Sequence, residues 1–308
     1  MSTVTKPGAG ATSGAGRGLG ERRRGQRAGG GVVAGHLRRL VPRLAVTILV
    51  LVEVLPLVWL VMSSLKTNAE FYTRSVWSLP EGFYWHNYVS ALTTGSMALY
   101  LRNSAIATLP ALALMLLLSV AAGFALEIMR WRGRDMVLLL FLSGIMVPAQ
   151  MILLPLFTIY FKLNLVNNLA SLVITYTAYG LPLSIFLLVA YYKAVPRELL
   201  ESATCDGASI YRVFWQISLP MVRNAIVTVG LVEFFFCWND LLFSYTFIST
   251  GSRLTVQTGL LSFVGQYGEV SWGPTFAAVC IAVFPTLVIY LLLNQRIVKG
   301  LTAGSIKG

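Results

Sequence analysis

Six stretches of this chain run for about twenty residues with almost no charge, the length an α-helix needs to cross roughly 30 Å of hydrocarbon. They lie near 41–64, 104–128, 136–160, 168–191, 223–246 and 274–294. Inside lipid there is no water to pair with backbone N–H and C=O groups, so a spanning segment must satisfy them itself. The runs therefore predict an all-α membrane protein with six transmembrane helices. Composition excludes a soluble core. Of the 308 residues, 56% are hydrophobic and 12% charged, against roughly 25% charged in an average soluble domain. Cys205, Cys237 and Cys280 are far apart and form no C-x-x-C, which argues against a disulfide framework or a thiolate metal site.

The net charge of +12 sets the expected orientation once lysine and arginine are counted loop by loop. With the N-terminus inside, nine fall in the N-terminal tail, three in the second connection, four in the fourth and three in the C-terminal tail. The first, third and fifth connections share five: Lys66, Arg74, Arg102, Lys162 and Arg253. Both termini are thus expected on the cytoplasmic side of the membrane. A basic balance that follows topology in this way calls for no nucleic acid. Residues 1–40, rich in glycine and arginine and poor in large apolar groups, predict a disordered basic tail ahead of a membrane domain over 41–308. Glu21-Arg22-Arg23-Arg24 reads as a positive-inside anchor. No glycine cluster reaches the spacing of a phosphate-cradling loop.

Between the fourth and fifth runs lies PRELLESATCDGASIYRVFWQISLP, from Pro196 to Pro220, too charged to cross lipid and too patterned to be a slack loop. Pro196 suits a first helical turn, where its missing N–H would be unpaired anyway, and Glu198 and Glu201 place negative charge near the positive end of the helix dipole. Gly207 can take the left-handed conformation that ends a helix. Asp206 or Ser209 can accept hydrogen bonds from the free N–H groups of a following one. Two short helices with a bend at Asp206-Gly207 are expected. In the second, Ile210, Val213, Phe214 and Ile217 share a face, with Arg212 and Gln216 away from it. Pro220 marks a boundary before the next span.

Read as E-x-A-x-x-D-G-A and, further on, I-x-L-P, the residues Glu201, Ala203, Asp206, Gly207, Ala208, Ile217, Leu219 and Pro220 resemble the cytoplasmic signature of permease subunits of binding-protein-dependent ABC importers. Ser202 stands where that family usually has a second alanine. The triplet Trp238-Asn239-Asp240 resembles the W-N-E or W-N-D of carbohydrate permeases, and GLTAGSIKG at the C-terminus resembles the ending of the maltose-type inner-membrane subunit. The likeness extends over 41–308. It implies a type I importer transmembrane domain, with a coupling-helix loop between the fourth and fifth helices that docks on a separate ATPase. It also implies no cofactor on this chain, with ATP and Mg on that partner. The other implied partners are a second, different permease subunit, a second ATP-binding subunit and an extracytoplasmic solute-binding protein.

Polar groups inside the runs mark candidate sites. An acidic residue facing lipid at mid-span costs about 2.5–3.5 kcal/mol on insertion scales. Glu53, near the middle of the first run, should therefore face protein or water, either in a functional role or as a structural hydrogen bond or neutralised carboxyl. In the fifth run Glu233 and Asp240 are seven residues apart and so share a face, with Asn239 beside it. Glu233, Trp238, Asn239 and Asp240 are accordingly read as lining the translocation path. The alternative is that they only hold neighbouring helices together. Pro148 and Pro155 are expected to kink the third run. His86 stands without a carboxylate or cysteine cluster, which is weak evidence for a metal or for catalysis.

The resulting expectation is a non-enzymatic permease that forms half of the pathway for a sugar or related polyol, driven by a partner ATPase through residues 196–220. A permease for another small polar solute is an alternative. So is a secondary transporter with Glu53, Glu233 and Asp240 as proton sites.

Overall fold

The computed structural model describes residues 28–263 and 270–305, with side chains over 42–263 and 270–293. Two units make up the chain, residues 1–58 and 59–308. The first holds most of helix α1 (Ala28–Ser64), in which Pro42–Ser64 is long and apolar enough to span a membrane. The expectation of an irregular tail is corrected for residues 28–40, which are helical. Nucleation is the unfavourable step of helix formation, and once the span supplies a nucleus each added residue gains a hydrogen bond. Residues 1–27 lie outside the described residues. The side chain of Glu53 on α1 is exposed.

In the second unit two short helices, α2 (Asn68–Thr73) and α3 (His86–Leu92), precede α4 (Met97–Glu127). The second apolar run thus becomes helical several residues ahead of 104. α5 (Arg134–Ile145) and α6 (Ala149–Lys162) follow, then α7 (Leu169–Lys193), α8 (Arg197–Cys205) and α9 (Ile210–Arg212). A π-turn over Val213–Ser218 joins α9 to α10 (Leu219–Trp238). The chain then forms α11 (Leu242–Phe247), α12 (Val256–Leu260) and α13 (Trp272–Ser305).

Among the described residues five helices are long and apolar enough to span, and the third run is a broken one in which α5 and α6 are bent by 97°. Pro148 causes the break. It stands as the extended residue before α6 rather than as a kink inside a helix, because a proline disfavours helical backbone in the residue ahead of it. Pro155 lies inside α6 as expected.

α4, α7 and α10 bury small and polar side chains against one another and turn large apolar ones outward, the arrangement that lipid favours. On α4 the buried seam is Ser104, Ala107, Thr108, Ala111, Met115, Ser119 and Gly123, while Leu109, Leu114 and Leu117 are exposed. α7 answers with Ser171, Thr175, Gly180, Ser184 and Leu188. A Cβ on Gly123 would lie 3.2 Å from Leu188 and Tyr192, so glycine permits this close approach.

At the end of the bundle away from α8, loops are stitched to helix ends by buried amides. Asn103, 2% exposed, donates to the carbonyls of Ser252 and Leu254 at 3.0 and 2.9 Å. The Asn167 side chain accepts from the N–H groups of Ser249 and Thr250. Lys66, also 2% exposed, donates to the Val76 carbonyl at 3.0 Å and to Ser78 at 3.4 Å. Burial raises the pKa of the Glu70 carboxyl, but the N–H groups of Thr67 and Glu81 and the Thr67 hydroxyl outweigh it and hold the group below the usual range. Replacing Asn103 by alanine leaves two carbonyls without their donor, at a cost of about 1–3 kcal/mol. The thermal midpoint in mild detergent should fall by several degrees, and an unchanged midpoint would show that water replaces the amide.

Candidate functional site

Pro196–Pro220 forms an elbow whose first half follows the expected pattern. Pro196 immediately precedes α8, Glu198 lies in its first turn, and Gly207 turns the chain with φ +79°. Ser209 rather than Asp206 caps the following helix, its hydroxyl accepting from the Arg212 N–H at 3.4 Å. The second half departs from expectation. Pro220 marks no boundary, because α9, the π-turn and α10 run as one helical element from Ile210 to Trp238. A π-turn places an extra residue in one turn, and here Leu219 N–H bonds the Phe214 carbonyl five residues back. The missing donor of Pro220 therefore falls in the first turn after the switch, where α10 tolerates it.

The elbow has two faces. Leu200, Val213, Val222 and Ala225 are buried with Val120 and Phe124 of α4 and Leu188 and Tyr192 of α7, and Ala203, Ala208, Phe214, Ile217 and Leu219 pack against the same cluster. The Phe214 ring meets that of Phe124 edge-on at 5.0 Å. Ile210 is corrected from the buried face to the exposed side. On that side Leu199, Tyr211 and Trp215 are also exposed, as are Glu201, Asp206, Gly207 and Pro220. Neither carboxylate of this tip has a hydrogen bond or ion pair among the described residues. A Cβ on Gly207 would meet nothing within 4 Å, so its backbone angle, not crowding, calls for glycine. The motif thus divides into two inward alanines that anchor and an outward acidic tip. Arg197 also ties α8 to Glu127 at the end of α4, at 3.4 Å.

A cavity of about 340 Å³ lies between α5, α7, α10 and α11. Glu233 and Asp240 both line it, as do Tyr176, Tyr179 and Cys237. The helix ends at Trp238, so Asp240 reaches the cavity through the turn after α10 rather than by helical periodicity. Trp238 and Asn239 do not line this cavity. Trp238 is buried against α13, donating its indole N–H to the Ala282 carbonyl at 3.2 Å. Asn239 is exposed, donating to the Phe235 carbonyl and accepting from Gln257. Asp240 accepts the Tyr176 hydroxyl at 2.9 Å and the N–H groups of Phe243 and Ser244 at 3.2 and 2.9 Å, which caps α11. The Ser184 hydroxyl donates to Glu233 at 3.0 Å.

Sequence reasoning missed the α7 wall. Tyr176, Tyr179, Gly180 and Leu183 line the cavity, and Ser184 reaches it through Glu233. Their spacing of three and four within the fourth run was the signal that could have found them. Cys237 was weighed only as a disulfide or metal-site candidate.

Residues 103–301 match the family described as the inner membrane component of binding-protein-dependent transport systems. The chain belongs to this family. The permease is 33% identical to a probable ABC transporter permease protein of Bacillus subtilis, over 82% of this chain and 83% of that one. It is 30% identical to the trehalose/maltose transport system permease protein of Thermococcus litoralis, over 88% and 98%. A diacetylchitobiose uptake system permease protein of Streptomyces coelicolor is 29% identical over 83% and 85%. The fold of this chain matches, at TM-score 0.74 and 18% identity, a chain of a bacterial ABC transporter involved in the import of the acidic polysaccharide alginate, covering 85% of this chain and 97% of that one. The permease is a membrane-embedded transport subunit of a system that includes a binding protein and an ATPase.

The three donors on Asp240 predict a structural cost when it is removed. Asp240→Ala should lower stability by about 1–3 kcal/mol through loss of the α11 cap and an unpaired Tyr176 hydroxyl. Asp240→Asn, which keeps an acceptor, should fall between. Thermal unfolding of the three proteins in detergent checks the order.

Proposed function

We propose that this permease forms half of the pathway for a sugar or related polyol and is driven through the 196–220 elbow by a separate ATPase, which carries the ATP and Mg. A second, different permease subunit completes the pathway, two ATP-binding subunits supply the motor, and an extracytoplasmic protein delivers the solute. The elbow and both termini lie on the cytoplasmic side. The observation that carries this reading is the division of the elbow. Its inner face is packed into the α4, α7 and α10 core, while Glu201, Asp206 and Gly207 are exposed and the two carboxylates have no partner among the described residues. A handle fixed to these helices passes any displacement of its tip along α7 and α10 to the cavity that those two border. ATP binding closes the two ATPase subunits on each other, draws the elbow with them and turns the cavity outward toward the loaded binding protein. Relatives named for trehalose/maltose, diacetylchitobiose and alpha-glucoside transport support a saccharide as the solute. So do the carboxylates and tyrosines of the cavity.

The test is association and uptake. The tagged permease, purified in mild detergent, should bring an ATP-binding subunit with it. Gly207→Val forces a β-branched residue to φ +79° at a cost of about 1–2 kcal/mol. It should reduce ATPase recovery and uptake by about tenfold or more while the chain stays in the membrane. Uptake that persists in this variant and collapses with the proton gradient would favour a secondary transporter instead.

A further inference from the structure

Two carboxylates border the 340 Å³ cavity, and their hydrogen bonds give them different tasks. All three donors to Asp240 come from the protein, from Tyr176, Phe243 and Ser244, so its charge is engaged in holding α11 against α7. Glu233 is 2% exposed, and its Oε1 accepts from Ser184. Its Oε2 receives no donor among the described residues and lies against Gly180, where a Cβ would come within 2.8 Å of it. A Cβ there would also fall 2.5 Å from Met115 Cε, so glycine at 180 makes room for both side chains beside the cavity. Among the described residues no lysine, arginine or histidine lines the cavity, and its other walls carry the rings of Tyr179, Phe236 and Phe243.

An acceptor oxygen beside an apolar cavity gains from a donor, and a solute hydroxyl is a donor. An anion in the same place meets a like charge at low effective dielectric, with no cation to offset it. Building on the importer reading, we propose that Glu233 determines solute specificity in this half of the pathway. It admits neutral polyhydroxylated solutes by accepting a hydroxyl and turns away solutes that carry a carboxylate, sulfonate or phosphate.

Cys237 lines the same cavity one helical turn after Glu233, so the rate at which its thiol is modified reports the local potential without the natural solute being known. In membranes containing the assembled importer, with Cys205 and Cys280 replaced by serine, Cys237 is treated with cationic and anionic methanethiosulfonates of matched size. Each rate is divided by that of the same reagent with a free thiol, so the reactivity of Cys237 itself cancels in their ratio. The cationic reagent should react on the order of tenfold faster, and Glu233→Gln, which is nearly isosteric, should lower the ratio by about threefold or more, the remainder coming from Asp240. A ratio near one in the unaltered permease overturns the proposal. So does a ratio that Glu233→Gln leaves unchanged. Failure of both reagents to reach Cys237 also overturns it, since the cavity would then be closed to solute-sized molecules. None of these outcomes depends on the ATPase, so failure of the ATPase to co-purify would count against the importer reading alone.

Discussion

The close seam between α4 and α7 is the constraint on which the rest of the molecule depends. Lipid tails are as apolar as leucine, so nothing drives these helices together by exclusion from water, and close packing of small residues must do it. Gly123 lets the backbone approach Leu188 and Tyr192 to van der Waals contact, and Thr177 donates across the seam to the Ala111 carbonyl at 3.3 Å. Tyr192 donates across it as well, to the Val120 carbonyl. At one end of the seam these helices provide the socket for the elbow, and midway along it Met115, Gly180 and Glu233 meet at the cavity. A shift imposed at one end therefore has a packed route to the other.

The π-turn gives this route its continuity. A proline following a polar loop ordinarily separates loop from span. Here the register change over Val213–Ser218 carries the helix past Pro220, so the elbow and α10 form one element from Ile210 to Trp238. The turn also sets which residues face inward: Val213 and Ser218 are buried while Ile210, spaced correctly for a regular helix, is not. The broken α5–α6 pair has the opposite character, since its 97° bend at Pro148 interrupts the helical connection.

Much of this was legible in the residues. Apolar length located the spans, and the left-handed Gly207 followed from its place between two helical patterns. What failed did so where helical periodicity ceased to apply. Asn239 and Asp240 were set on and beside the face of Glu233 as if α10 continued through them, but the helix ends at Trp238 and the turn sends Asn239 outward while Asp240 still meets the cavity. Ile210 was misplaced because a π-turn shifts the angular spacing, and a sequence pattern built on 3.6 residues per turn cannot register it. The extra helix at residues 28–40 reflects propagation from a neighbouring span, which local composition does not encode.

The central claim is that the elbow moves as a rigid part of the span core. The most direct measurement is a pair of spin labels, one on Cys205 at the exposed end of α8 and one on Arg130→Cys just beyond α4, in the assembled importer with the other cysteines removed. Pulsed dipolar spectroscopy with and without a non-hydrolysable ATP analogue should give one narrow distance distribution that nucleotide does not shift. A broad distribution, or one displaced by nucleotide, would show the elbow moving independently of α4 and contradict the account.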